Sequence, residues 1–205
     1  MGGNLSLDPK FDEKRIRLKE IIKERGIIIK DVTLSSNKKS HFYYDIKSIV
    51  SDPEGATLIG ELMLTEIQRI EPKTRAVGGL ELGAIAIATT IVCSSYPLES
   101  KNSVSGFFVR KSVKTYGLEK RIEGIVQDPV VVVDDVITTG NSVLEAVTAL
   151  RSQRINTVNI MCVIDRQSNE NLLIENNLKF YSLFKHSEFA DYINSKLESN
   201  IKNIK

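Results

Sequence analysis

Val130-Val131-Val132-Val133-Asp134-Asp135-Val136-Ile137-Thr138-Thr139-Gly140-Asn141-Ser142-Val143 decides how this chain is read. Four valines in a row are apolar on both faces, as a central strand of a parallel sheet covered by helices requires. The strand at Val130–Val133 leads into a loop at Asp134–Gly140 and a helix over Asn141–Arg154. Backbone N–H groups and the hydroxyls of Thr138, Thr139 and Ser142 at a helix N-terminus offer a ready site for a phosphate. Gly140 lets the backbone approach it closely. Asp134 and Asp135 would repel a phosphate, so they face something else, most simply the vicinal hydroxyls of a sugar attached to it. The run Asp134, Asp135, Val136, Ile137, Thr138, Thr139, Gly140, Asn141, Ser142 therefore describes a ribose 5-phosphate cradle. The plainer alternative is a capped helix with two solvated acids. A Walker A loop is a poorer account, because no lysine sits inside this turn. Adjacent carboxylates also cannot flank a glycosidic bond from opposite sides.

Around this motif strands and helices alternate. Asp8-Pro9 opens a helix over about 9–25, with Gly26 as its stop. Gly26–Leu34 and Phe42–Ile46 read as strands around a polar loop, and Ile59, Leu62, Met63, Ile67 and Ile70 mark a helix. Thr74–Val77 leads to a turn at Gly78-Gly79 and a helix over Gly83–Ser94, while Gly106–Val109 is short and extended. After the central motif come a strand at Thr157–Ile164, a helix near Ser168–Asn176, a strand at Leu178–Leu183 and a terminal helix from about Ser187. The expected fold is α/β and doubly wound: a mainly parallel central sheet flanked by helices, in one domain over 1–205 whose residues 1–50 form a small hood. Ligands of such sheets bind on the rim where the strands end.

The 205 residues carry 28 Lys+Arg against 26 Asp+Glu, so no broad basic field argues for a nucleic-acid partner. Cys93 and Cys162 sit in or against apolar runs and read as small core residues. With no Cys-x-x-Cys pair and only His41 and His186 as imidazoles, zinc sites and a Cys/His nucleophile lack their parts. No apolar run is long enough to span a bilayer and no secretory segment opens the chain, so the expected location is cytoplasmic and no membrane partner is expected. Met1-Gly2-Gly3-Asn4-Leu5-Ser6 fits a loose myristoylation pattern but lacks the second signal that stable anchoring needs, and reads as a plain terminus.

The acidic-acidic-apolar-apolar-Thr-Thr-Gly-x-Ser pattern of 134–142 resembles the signature of type I phosphoribosyltransferases, a superfamily that also holds regulators sensing phosphoribosyl pyrophosphate. Other segments bear on the acceptor. Arg110, Lys111 and Lys114 follow a short strand, suit a multiply charged pyrophosphate, and precede a polar stretch, 115–124, able to move. This order is similar to the Arg-Lys-x-x-Lys-x-His-Gly loop of orotate phosphoribosyltransferases. The resemblance implies that Lys114 is the main catalytic cation and that the 110–124 loop acts in trans in a homodimer. Tyr116 stands in place of the family's histidine, and a phenol can still donate a hydrogen bond to phosphate. The segment 33–45 resembles the family's Leu-Lys-Ser-Gly-x-x-Ser-x-Tyr-Phe-Phe stretch, with Ser35 and Asn37 where many members have lysine and glycine. Its Tyr43 and Tyr44 suit a flat heterocycle, or else are ordinary strand residues.

Val163-Ile164-Asp165-Arg166-Gln167 looks like the family's Leu-Asp-Arg-x-Glu segment, which implies that Arg166 pairs with a carboxylate on the base. A planar guanidinium makes two parallel charge-assisted hydrogen bonds to a carboxylate, which lysine does not reproduce. Val77–Ala84 lies where the family has a turn near the pyrophosphate, without the lysine some members carry. The resemblance runs from about residue 11 to 185. It implies an orotate phosphoribosyltransferase, a pentosyl-transferring enzyme of pyrimidine biosynthesis. Its substrates would be orotate and phosphoribosyl pyrophosphate, with Mg²⁺ carried mainly by the pyrophosphate. Asp134 and Asp135 would then hold the ribose, 138–142 the 5′-phosphate, and Arg166 with the Thr138 backbone the orotate. Transfer to another base, a phosphoribosyl-pyrophosphate-sensing regulator and an interaction protein with a degenerate site are the alternatives.

Overall fold

Pro9–Ile21 form α1, which widens into one π-helical turn at Ile22–Gly26 and so ends the helix expected over 9–25 in two parts. The computed structural model describes residues 9–33, 39–96, 103–112, 120–156 and 158–202. β1 (Ile27–Thr33) pairs antiparallel with β2 (Lys39–Tyr44), and the two make a separate small sheet. The expected strand at Phe42–Ile46 stops at Tyr44, because the Asp45 side chain accepts the Ser48 N–H and caps α2 (Ile46–Val50). Asp52 caps α3 (Pro53–Ile70) in the same way through the Gly55 N–H, with Pro53 at the first turn.

The main sheet contains β3 (Ala76–Leu80), β4 (Ser105–Val109), β5 (Ile122–Gly124), β6 (Val130–Ile137), β7 (Val158–Asp165) and β8 (Tyr181–Lys185). Their spatial order is β5-β4-β3-β6-β7-β8, every neighbouring pair parallel except β4 with β5. The helices are α4 (Gly83–Ser95), α5 (Asn141–Ser152), the short α6 (Leu172–Glu175) and, after a 3-10 turn at His186–Glu188, α7 (Ala190–Lys202). The four valines of β6 divide by side-chain alternation. Val131 and Val133 pack into a core with Leu62, Met63 and Ile87, whereas Val130 and Val132 pack with Ala146, Val147 and Leu150. Both faces of β6 are thus covered, as its composition requires. Among the described residues no helix is long and apolar enough to cross a membrane.

Several boundaries differ from expectation, each for a physical reason. Gly78 and Gly79 lie inside β3 rather than in a turn. A side chain on Gly78 would run into the Phe107 carbonyl and one on Gly79 into the Val133 carbonyl, so the pair permits close strand packing. β6 does not end at Val133: its ladder with β7 continues through Asp134, Val136 and Ile137, which shortens the loop to 138–140. Ile122–Gly124, expected within a polar loop, forms the antiparallel edge strand. The helix near Ser168–Asn176 contracts to α6, where the Asn171 side chain accepts the Leu173 N–H. The Leu178 N–H closes that turn on the Leu173 carbonyl at 2.7 Å, which delays β8 to Tyr181. Cys162 is buried as expected, but Cys93 is exposed, because the buried side of α4 runs through Ala84, Ile87, Ala88 and Ile91.

Candidate active site

β3, β4, β6 and β7 run in one direction, so the segments that follow them meet on one rim. At its centre, Gly140 adopts a left-handed φ of 77° and starts α5; a side chain there would also meet Leu173 Cγ at 2.6 Å. The loop is braced from the next segment by the Leu172 N–H, which donates to the Thr139 carbonyl at 2.8 Å. Asp134, Val136, Ile137, Thr138, Thr139, Gly140, Asn141 and Ser142 line a cavity of about 440 Å³ together with Glu170, Leu172 and Glu175. The first turn of α5 points backbone N–H groups without intrahelical partners toward this space.

Asp134 lines the cavity, and Asp135 follows it as the last polar residue of β6. Asp134 Oδ1 accepts the Asp135 N–H at 2.9 Å, and Asp135 Oδ1 accepts the Val136 N–H at 2.8 Å. Burial, reinforced by the neighbouring Asp135 charge, pushes the Asp134 carboxyl well above the usual carboxylate range. Lys47 of α2 donates to Asp135 Oδ2 at 2.5 Å. Burial opposes the charge of that ammonium, but the hydrogen bond and charge of Asp135 outweigh it and hold Lys47 above its ordinary value. Gly83 closes on the pair from α4: a Cβ there would stand 2.6 Å from Asp134 Oδ1.

Of the expected pyrophosphate cations, Arg110 and Lys111 follow β4, two strands from β6 in the sheet. Glu81 Oε1 accepts the Lys111 N–H at 3.0 Å, tying the turn before Gly83 to the segment after β4. Arg110 contacts Glu123 of β5 at 3.5 Å, and Lys111 is exposed. Lys114, Tyr116 and the rest of 113–119 in the expected mobile loop lie outside the described residues, as do Ser35, Asn37 and the Met1–Ser6 pattern.

Arg166 follows β7, with its N–H donating to the Ile137 carbonyl at 2.9 Å, beside the cradle. Its guanidinium donates to Ser40 Oγ at 2.7 Å and lies 4.5 Å from the centre of the Phe42 ring. The expectation that Tyr43 and Tyr44 together face a heterocycle is corrected for Tyr44. Side chains of β2 alternate, so Phe42 and Tyr44 share one face and Tyr43 takes the other. Tyr44 is 2% exposed, and its phenol is 2.8 Å from His186 Nδ1. Tyr43 is partly buried and close enough to Lys47 to act on its charge. Lys47, Ser40, Phe42, Gly83 and His186 escaped the reading of the sequence as site residues. Ser40 and Phe42 fall within the 33–45 resemblance and Gly83 within 77–84, so these three carried a local signal; Lys47 and His186 are defined by partners far along the chain.

Among the described residues no three His, Cys, Asp or Glu side chains gather where a metal ion could be held. The donors at the cavity are hard carboxylate oxygens, which fits a Mg²⁺ ion that arrives on phosphate oxygens and keeps most of its waters.

A mainly parallel sheet whose central strand β6 carries two acids and leads through Thr138–Gly140 into α5, with Arg110 and Lys111 after β4 two strands away, is the arrangement expected of a phosphoribosyltransferase. Residues 98–189 match the phosphoribosyl transferase domain family. The orotate phosphoribosyltransferase of Aquifex aeolicus (strain VF5) is 39% identical over 181 residues, covering 85% of this chain and 97% of the relative. That of Rhodopseudomonas palustris (strain BisB5) is 36% identical over 184 residues, covering 86% and 96%. Mycobacterium tuberculosis H37Rv orotate phosphoribosyltransferase, solved in complex with 5-phospho-alpha-D-ribosyl 1-diphosphate (PRPP), superposes with a TM-score of 0.64 at 29% identity, over 86% of this chain and 99% of that one. The chain belongs to the orotate phosphoribosyltransferase family.

Proposed function

We infer that this enzyme transfers the ribose 5-phosphate group of PRPP to orotate, giving orotidine 5′-monophosphate and pyrophosphate in pyrimidine biosynthesis. The observation that carries the acceptor is the guanidinium of Arg166, held on Ser40 and Phe42 beside the cavity that Thr138–Ser142 line. A guanidinium fixed there favours a base that bears a carboxylate over a neutral purine.

In this reading the 138–142 loop and the first turn of α5 hold the 5′-phosphate, and Asp134 and Asp135 accept hydrogen bonds from the ribose hydroxyls. Arg166, with the Thr138 backbone, aligns orotate, and Tyr43 borders the acceptor side. Orotate attacks C1′ through a ring nitrogen that reacts as an anion, so no general base is required. As the bond to pyrophosphate breaks, Lys114, Arg110 and Lys111 stabilise charge on the leaving oxygens, Lys114 foremost, with Tyr116 donating to a phosphate oxygen. When bound to the pyrophosphate, Mg²⁺ supplies further positive charge to the same oxygens.

The reading includes a single catalytic domain over 1–205 with residues 1–50 as its hood, and a homodimer whose 110–124 loop acts in trans. A multiply charged donor does not cross a bilayer unaided, which supports a cytoplasmic location. The test is loss of orotate absorbance on adding PRPP and Mg²⁺, with adenine, guanine, hypoxanthine and uracil in parallel. Consumption of orotate alone is expected; consumption of another base instead would remove the acceptor assignment.

A further inference from the structure

Lys47 has no part in the scheme above, yet its ammonium lies 2.5 Å from a carboxylate of the acid pair. The contact is built by the fold. Asp45 caps the start of α2, and Ile46, Ile49 and Val50 anchor that helix in the core, leaving Lys47 on the side turned to β6. Asp135 is mostly covered, with 13% of its side chain exposed, while Lys47 keeps 53% and so reaches the pair from the solvent side. One oxygen of each acid already accepts a backbone N–H, and the approach of Gly83 limits how far the carboxylates can turn. Two adjacent carboxylates in such a place repel each other, and repulsion turns them away from any shared ligand. A cation on Asp135 offsets this.

We propose that Lys47 is a positioning residue of the ribose subsite, which orients Asp135 and compensates the acid pair so that both carboxylates accept the vicinal hydroxyls of the phosphoribosyl donor. The proposal rests on the reading of Asp134 and Asp135 as the ribose acceptors. Among the described residues, the groups around the pair are Lys47 from α2, Tyr43 from β2 through Lys47, and Cys162 from β7, whose Sγ is 3.7 Å from the Tyr181 carbonyl oxygen; Glu170 and Glu175 line the same cavity as Asp134, and Gly83 of α4 brings no charge. Lys47 is therefore the cation that opposes the upward push on Asp134, and its removal moves that carboxyl further up. Donor binding that needs the ionised pair then fails at a higher pH.

The experiment compares wild type, Lys47→Met and Lys47→Arg by calorimetric titration with PRPP and Mg²⁺ and by kcat/KM for each substrate across the acid side of neutrality. Lys47→Met is expected to weaken donor binding about five- to tenfold, the loss of one half-exposed charge-assisted contact. Its acid limb should move up by about half a pH unit or more, with the KM for orotate within about twofold of wild type and Lys47→Arg restoring most of the effect. An unmoved acid limb with unchanged donor binding would overturn the proposal, reducing Lys47 to a tether of α2. So would equal losses for orotate and donor accompanied by a lower melting temperature. Should the wild type bind PRPP without consuming orotate, the acceptor assignment falls, and the calorimetric comparison still decides the role of Lys47.

Discussion

Arg166 is held against Phe42, its guanidinium carbon 4.5 Å from the ring centre, and the same ring stacks on His186 with centroids 5.3 Å apart and planes within 7°. The fork is therefore fixed before any ligand arrives, which lowers the cost of ordering it on binding. Burial, its largest influence, pulls the Arg166 guanidinium below its ordinary value, as expected for a cation kept partly from water to meet a carboxylate. Arg166→Lys should raise the KM for orotate about tenfold or more, since an ammonium replaces a two-pronged donor, and leave PRPP affinity nearly unchanged. Titration with each substrate checks this, and equal losses for both would contradict the assignment.

Phe42→Leu keeps an apolar residue on β2 and removes the ring beneath Arg166. A partly buried cation–π contact is worth about 0.5–2 kcal/mol, so the KM for orotate should rise about two- to thirtyfold with kcat little altered. Steady-state kinetics at saturating PRPP separate the two. An unchanged KM would mean that Ser40 alone orients the guanidinium.

Gly83→Ala would place a methyl 2.6 Å from Asp134 Oδ1 and 3.2 Å from Asp135 Oδ1. Displacing these carboxylates should weaken PRPP binding on the order of tenfold to a hundredfold, because misplacement of a positioning group by a fraction of an ångström is costly. Calorimetry with PRPP tests this, and wild-type affinity would separate Asp134 from the ribose.

His186 is held below its ordinary pKa, by burial first and by the nearby Arg166 second, so the folded protein keeps it neutral. The unfolded chain takes up a proton near pH 6.5 and the folded one only at lower pH. Between those values the unfolded state binds more protons, so stability falls as pH drops through that window. His186→Gln should flatten this part of the stability curve. Urea unfolding at several pH values is the measurement, and parallel curves for the two proteins would refute the linkage.

Lys114→Ala should lower kcat about 10²-fold, the loss of one donor to the charge that develops on the leaving pyrophosphate, with the melting temperature unchanged. A variant within about threefold of wild type would take Lys114 out of the mechanism.

Val130–Val133 and Thr138–Ser142 were readable from the chain alone because their determinants are contiguous. Four β-branched residues suit a strand covered on both faces, and a glycine followed by polar residues starts a helix at the end of that strand. The class of fold and the family resemblance of residues 134–142 followed from such local patterns. Phe42, Tyr43 and Tyr44 show where that legibility stopped. Alternation along β2 was implicit in the sequence, but which face met the core was not, and packing against Phe189, itself against Phe184, buried Tyr44 and left Phe42 for Arg166. Lys47 meeting Asp135 and Arg166 meeting Phe42 and His186 were likewise settled only in three dimensions. Turn chemistry and hydrophobic period depend on neighbours in sequence, whereas the partner of a charge or a ring depends on which strands and helices the crossovers bring together.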